Sequence, residues 1–141
     1  MGYTNPKPIV FYGTSITQGA SASRPGMAYP SILSRRHNVE TINLGFSGNG
    51  KFEEAVGQAL CEIDAALFVL DCTPNSSPEV IQNNALKLIQ QIKKCRPHTP
   101  ILMVESIMRE RSYLRVKGTG SIKHIIDQNK ALMDTYKESK D

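Results

Sequence analysis

Residues 8–19 read Pro8-Ile9-Val10-Phe11-Tyr12-Gly13-Thr14-Ser15-Ile16-Thr17-Gln18-Gly19. Ile9 to Tyr12 is a short apolar run of β-branched and aromatic side chains, the composition of a strand buried on both faces. Gly13 breaks the run and allows a tight turn with close backbone approach. Ser15 follows two residues later. A hydroxyl just past the carboxyl end of a buried parallel strand stands where open α/β sheets place their ligand crevice, so Ser15 is the first nucleophile candidate. Serine and threonine also act as caps and turn formers in such loops. The turn reads as chemistry only if other segments converge on it.

Outward from this stretch, strands and helices alternate. The spacing of Ala28, Ile32 and Leu33 predicts a helix over 27–36, with Pro30 tolerated in its first turn. A second strand is expected over 39–44 and a helix over 51–63, with Phe52, Val56, Ala59, Leu60 and Ile63 on one face. Ala65 to Leu70 is the most apolar run and belongs at the sheet centre. Residues 79–96 form the clearest helix, opened by Pro78 and Glu79 and stopped by Pro97. Along it run Val80, Asn84, Leu88 and Ile92, joined by Ile81, Ala85 and Ile89. A fourth strand is expected over 101–104 and a loop over 112–121. A last helix over 121–137 carries a stripe of Ile122, Ile125, Ile126, Asn129, Leu132, Met133 and Tyr136. The order βαβαβαβα predicts an α/β domain, a parallel sheet with helices on both faces.

The chain has 141 residues, enough for a single domain. Its composition, 40% hydrophobic and 21% charged, is that of a globular fold. No apolar run approaches the length of a membrane span, and the N-terminus lacks the apolar core of a secretory signal. The net charge of +4 is mild. Arg109, Arg111, Arg115 and Lys117 make a loose cluster that reads as a solvated loop, because no nucleic-acid-binding motif accompanies it. Cys61, Cys72 and Cys95 are odd in number and widely spaced, which does not read as a disulfide framework or a zinc site. Cys72 ends an apolar run and reads as a buried thiol.

All four strands end on one side of the sheet, where the loops are 13–26, 45–50, 71–78 and 105–121. The first offers the Ser15 hydroxyl. The second, Gly45-Phe46-Ser47-Gly48-Asn49-Gly50, is dense in glycine, which marks a backbone that approaches something closely. The third offers Asn75. The set suits acyl transfer, in which an attacked carbonyl becomes an oxyanion and needs fixed N–H donors. The N–H groups of Ser15 and Gly48 and the Asn75 side-chain amide could supply three.

The segments Gly13-Thr14-Ser15-Ile16, Ser47-Gly48-Asn49-Gly50 and Asp71-Cys72-Thr73-Pro74-Asn75 resemble, in order and spacing, the first three motif blocks of the SGNH hydrolases, also called the GDSL esterase/lipase superfamily. The resemblance implies a three-layer, flavodoxin-like α/β/α fold with strand order 2-1-3-4. It also implies Ser15 as nucleophile, with Gly48 and Asn75 in the oxyanion hole. The wording around the blocks looks most like bacterial members acting on acetylated sugars or similar small esters. No metal or cofactor is implied, and the partner implied is a small-molecule ester. The aspartate that usually precedes the nucleophile is Thr14 here.

The family's base and its orienting acid come from a D-x-x-H block after a fifth strand, and residues 1–141 contain no such block. The expectation is therefore a single SGNH-hydrolase-like domain, incomplete at its C-terminus and missing the fifth strand, with a sheet edge open to self-association. Among the histidines, His37 fits a helix C-terminus and His98 falls at the opposite edge. His124, in the first turn of the last helix, stands nearest the crevice. The rival reading is a non-catalytic ligand-binding module that has lost the Asp/His pair. A nucleotide-binding domain is disfavoured, because neither G-x-G-x-x-G nor G-x-x-x-x-G-K-[ST] occurs.

Overall fold

A computed structural model describes residues 2–140. Four strands, β1 (Ile9–Gly13), β2 (Thr41–Gly45), β3 (Leu67–Asp71) and β4 (Ile101–Met103), form one parallel sheet in the order β2-β1-β3-β4. Ile9 pairs in register with Thr41 on one side and Leu67 on the other, and Phe68 pairs with Ile101. The apolar run expected at the sheet centre, in β3, and the run expected to be buried on both faces, in β1, are the two central strands.

Among the described residues, six α-helices connect and follow the strands: α1 (Ser15–Gln18), α2 (Tyr29–His37), α3 (Glu54–Glu62), α4 (Pro78–Cys95), α5 (Glu110–Leu114) and α6 (Ile122–Glu138). Their ends carry the expected chemistry. Ser77 caps α4 by accepting from the Val80 N–H at 3.3 Å, with Pro78 at the first helical position and Lys93 and Lys94 in the last turn. Ser121 caps α6 in the same way through the His124 N–H at 3.2 Å. Asn38 ends α2 in the left-handed region, at φ 50°.

Alternate residues of the central strands face opposite sides. Val10, Tyr12, Phe68 and Leu70 point into a closed core with Leu60 of α3, Ile81, Leu88 and Ile92 of α4, and Leu132 of α6. The other face is covered by α2, whose Tyr29 ring meets Phe11 edge-on at 5.6 Å. Beyond α2, that face lines an open groove of about 480 Å³ with Ile9, Leu67, Val69, Leu102 and Val104. No described helix is long and apolar enough to cross a membrane.

The structure departs from the sequence reading in four places. First, α1 and α5 are short helical turns within stretches expected to be loop. Thr14 and Thr17 drive α1: Thr14 Oγ1 accepts from the Ile16 N–H, and Thr17 Oγ1 accepts from the Thr14 N–H, both at 3.2 Å. Second, α3 begins at Glu54 rather than Lys51. The Glu53 carboxylate is engaged by the Lys51 N–H and the Tyr12 hydroxyl, which holds 51–53 out of the helix. Third, α6 is rotated from its expected stripe. Ile125, Gln128, Ala131, Leu132 and Thr135 are buried, while Ile126, Met133 and Tyr136 are exposed.

Fourth, Cys61 and Cys95 form a disulfide, contrary to the cysteine count's suggestion, at a sequence separation of 34 and with Cα atoms 5.7 Å apart. Both cysteines stand at the carboxyl ends of their helices. Because α3 and α4 each return antiparallel to the strands, those ends meet at the same edge of the sheet. Cys72 is the free cysteine and is buried, as expected.

Candidate active site

The β1–α1 turn and the loop after β2 are held together by close backbone contacts, and the turn after β3 joins them through a side chain. The Phe46 N–H donates to the Gly13 carbonyl at 2.9 Å. Gly50 packs on Gly13 so closely that a Cβ at residue 50 would stand 2.1 Å from the Gly13 oxygen, and its φ of +69° is one that L side chains rarely adopt. Between these anchors, residues 46–49 form a turn closed by the Asn49 N–H on the Phe46 carbonyl at 3.1 Å. Gly48, at the third position of this turn with φ +76°, meets a conformational demand rather than a spatial one. Nothing lies within 4 Å of where its Cβ would be.

Asn75 ends the helical turn Thr73–Asn75, and its Nδ2 donates to the Asn49 carbonyl at 2.7 Å. One amide hydrogen therefore fixes the side chain to the glycine loop, and a carboxamide has a second to give. Ser15 is the first residue of α1 and is half-buried, so its N–H has no acceptor within the helix. The Gly48 N–H likewise has no protein acceptor among the described residues.

The structure thus gathers the three segments that bear Ser15, Gly48 and Asn75, linking each to the next. Ser15 and Asn75 line separate depressions. That of Ser15, about 330 Å³, is walled by Ile16, Gly19, Ala20, Ser21, Met27 and Tyr29, among others. That of Asn75, about 290 Å³, also takes in His124. His37 instead lines the apolar groove, and His98 precedes β4, at the opposite edge from the crevice.

Two supporting devices escape a reading of motifs. Gln128 of α6, 2% exposed, reaches the asparagine turn and donates its Nε2 to the Thr73 carbonyl at 2.9 Å and the Ser76 carbonyl at 2.7 Å. A glutamine on the apolar side of a helix was the available signal. The second device is Asp71, buried at the end of β3, whose Oδ2 accepts from Thr17 Oγ1 at 2.7 Å and from the Tyr29 hydroxyl at 2.9 Å. It fastens α1, and with it Ser15, to the central strand.

Burial pushes the Asp71 carboxyl above its ordinary value, and the two hydroxyl donors offset this only in part. Burial also raises the phenols of Tyr12 and Tyr29, which remain protonated donors, and the Cys72 thiol, which is inert. A carboxyl raised in the folded state favours folding at low pH. That contribution is complete below the unfolded value of about 3.9 and fades as pH rises through the folded value. Urea unfolding between pH 3.5 and 7 is expected to show stability falling relative to Asp71→Asn, which cannot ionise. Equal pH slopes for the two proteins would rule out a raised Asp71.

Among the described residues, no group of three or more histidine, cysteine, aspartate and glutamate side chains comes together to hold a metal ion. The crevice is built from hydroxyl, amide and guanidinium groups.

Comparison with known proteins accords with this architecture. The chain is 42% identical to a Bacteroides ovatus protein assigned to the GDSL-like lipases, with a TM-score of 0.88 over 94% of this chain and 38% of that one. It shares the fold of a salicylyl-acyltransferase from a tetracycline biosynthetic pathway, at 18% identity and a TM-score of 0.73 over 96% of this chain and 39% of that one. It also shares the fold of a family two carbohydrate esterase from Clostridium thermocellum, solved with cellohexaose. Here identity is 14% and the TM-score 0.66, over 94% of this chain and 51% of that one. The chain thus spans about two fifths of the first two relatives and half of the third. No curated protein matches it significantly in sequence. The sequence model of the GDSL-like lipase/acylhydrolase family matches residues 6–141, and the chain belongs to that family.

Proposed function

We propose that this chain forms the core of a serine ester hydrolase for small acyl esters, O-acetylated carbohydrate among them. Ser15 is the nucleophile, and the N–H groups of Ser15 and Gly48 with the Asn75 carboxamide form the oxyanion hole. The observation that carries this reading is the linkage of three loops at the carboxyl ends of β1, β2 and β3, through Gly50 on Gly13 and Asn75 on Asn49. Donors fixed before substrate arrives need no reorganisation when charge develops, which is what makes them effective.

In the reaction, Ser15 Oγ attacks the ester carbonyl while a base takes its proton, and the carbonyl oxygen becomes the anion that the three donors face. Collapse breaks the bond to the alcohol, which leaves with a proton, and water then releases the acyl group from Ser15. The small side chains around Ser15, Gly19 and Ala20 among them, leave room for a short acyl group. No D-x-x-H block occurs in residues 1–141, so the reading takes the base from sequence beyond them.

The test is hydrolysis of p-nitrophenyl acetate by the full-length gene product. Asn75→Ala is expected to lower kcat by about 10²–10³ with little change in KM, the loss that accompanies removal of one oxyanion donor. A full-length protein that binds esters without cleaving them would support the binding-module reading instead.

A further inference from the structure

The arginines that the sequence presents as a solvated loop are exposed, and three of them share one wall. Arg109, Arg111 and Arg115 line a single cavity of about 290 Å³, whose wall also includes Asn75, His124 and Gln128. No aspartate or glutamate lines it. Among the described residues, none of the three guanidinium groups forms an ion pair with a carboxylate. Glu110, flanked by two of them in sequence, stays outside the lining. Arg115 is held in place, its Nη1 donating to the Thr119 carbonyl at 2.8 Å. The first turn of α6, a helix of 17 residues, borders the same space through His124 and Ile125, with Gly120 just before its cap, and adds the positive end of its dipole.

Three cations lining one cavity without a carboxylate among its lining residues repel one another, the more weakly for being exposed. A planar guanidinium donates paired N–H groups in a geometry that matches carboxylate, sulfate and phosphate. Resting on the ester-hydrolase reading for the position of the reacting carbonyl at Asn75, we propose that this cavity binds an oxyanion group carried by the substrate. The preferred esters are then acidic ones, such as an acetylated sugar that also bears a carboxylate, sulfate or phosphate.

The inference is tested by titrating the ¹⁵N-labelled chain with glucuronate, inorganic sulfate, inorganic phosphate and, as the neutral control, glucose. Saturable shifts of the Asn75 side-chain amide and of the Gly120–His124 amides are expected with anions and not with glucose. Glucuronate alone would assign a carboxylate, and sulfate and phosphate alone an ester of those acids; either result supports the proposal. The Arg111→Gln and Arg115→Gln variants are each expected to weaken binding about tenfold. Arg115→Lys, which keeps the charge but not the fork, is expected to fall between. Shifts that are absent, that glucose also produces, or that survive both glutamine substitutions would overturn it. Cleavage of neutral p-nitrophenyl acetate is read separately. In the full-length gene product, activity there without anion binding removes this proposal and leaves the hydrolase, whereas anion binding without activity keeps the anion site and removes both the hydrolase and the assignment of the anion to an ester.

Discussion

Ser15→Ala in the full-length gene product is expected to reduce turnover of p-nitrophenyl acetate by about 10⁶-fold, the scale recorded for loss of the nucleophile in subtilisin. The substitution isolates chemistry from folding. The Ser15 hydroxyl makes no hydrogen bond to a described residue, because Thr14 and Thr17 cap α1 between them. Removing one half-buried oxygen that bonds to nothing should leave stability within about 0.5 kcal/mol, so a loss of rate is a loss of attack. Thermal melts of the two proteins should superimpose while their rates diverge. Unchanged hydrolysis in a folded Ser15→Ala protein would remove Ser15 from the reaction and the proposed mechanism with it.

Removal of the Cys61–Cys95 disulfide is expected to have the largest effect on stability. The bond closes 34 residues that include β3 and nearly all of α4. Constraining a loop of that length in the unfolded chain stabilises the fold by about 3–4 kcal/mol, a large part of the 5–15 kcal/mol typical of a domain. The Cys61→Ser/Cys95→Ser double variant should unfold at markedly lower urea concentration, with a similar dependence on urea. In the unsubstituted 141-residue chain, denatured without reductant, one thiol, that of Cys72, should react with a thiol reagent, and three after reduction. Three reactive thiols before reduction would show that the bond does not form. Disulfides of this kind persist in oxidising surroundings.

What the sequence made legible was what local pattern encodes. Ile9 to Tyr12 and Leu67 to Leu70 carry the signature of buried parallel strands, and the segments between them carry helical spacing, so the sheet order followed from topology and resemblance. The glycine loop was legible as a close approach, although not that Gly50 would rest on Gly13. Pairing of Cys61 with Cys95 was hidden, because it depends on two helices ending at one edge, not on sequence spacing. The face of α6 was misread for a related reason. Hydrophobicity favoured Ile126, Met133 and Tyr136, but the carbonyls of Thr73 and Ser76 offered Gln128 two buried acceptors, and an unsatisfied carbonyl in the interior is costly. The arginines were visible as a cluster, while their sharing a wall with Asn75 required the chain to fold.

The Gln128 bridge ties the asparagine turn to a helix 55 residues downstream of Thr73. When α6 frays, the two carbonyls that flank Asn75 lose their donor together, and the turn is left held by the bond from Asn75 to the Asn49 carbonyl. Protection of the turn's backbone is therefore coupled to the stability of that distant helix. A protease that nicked the connection leading into α6 would loosen the asparagine turn without touching any residue that lines the Ser15 depression.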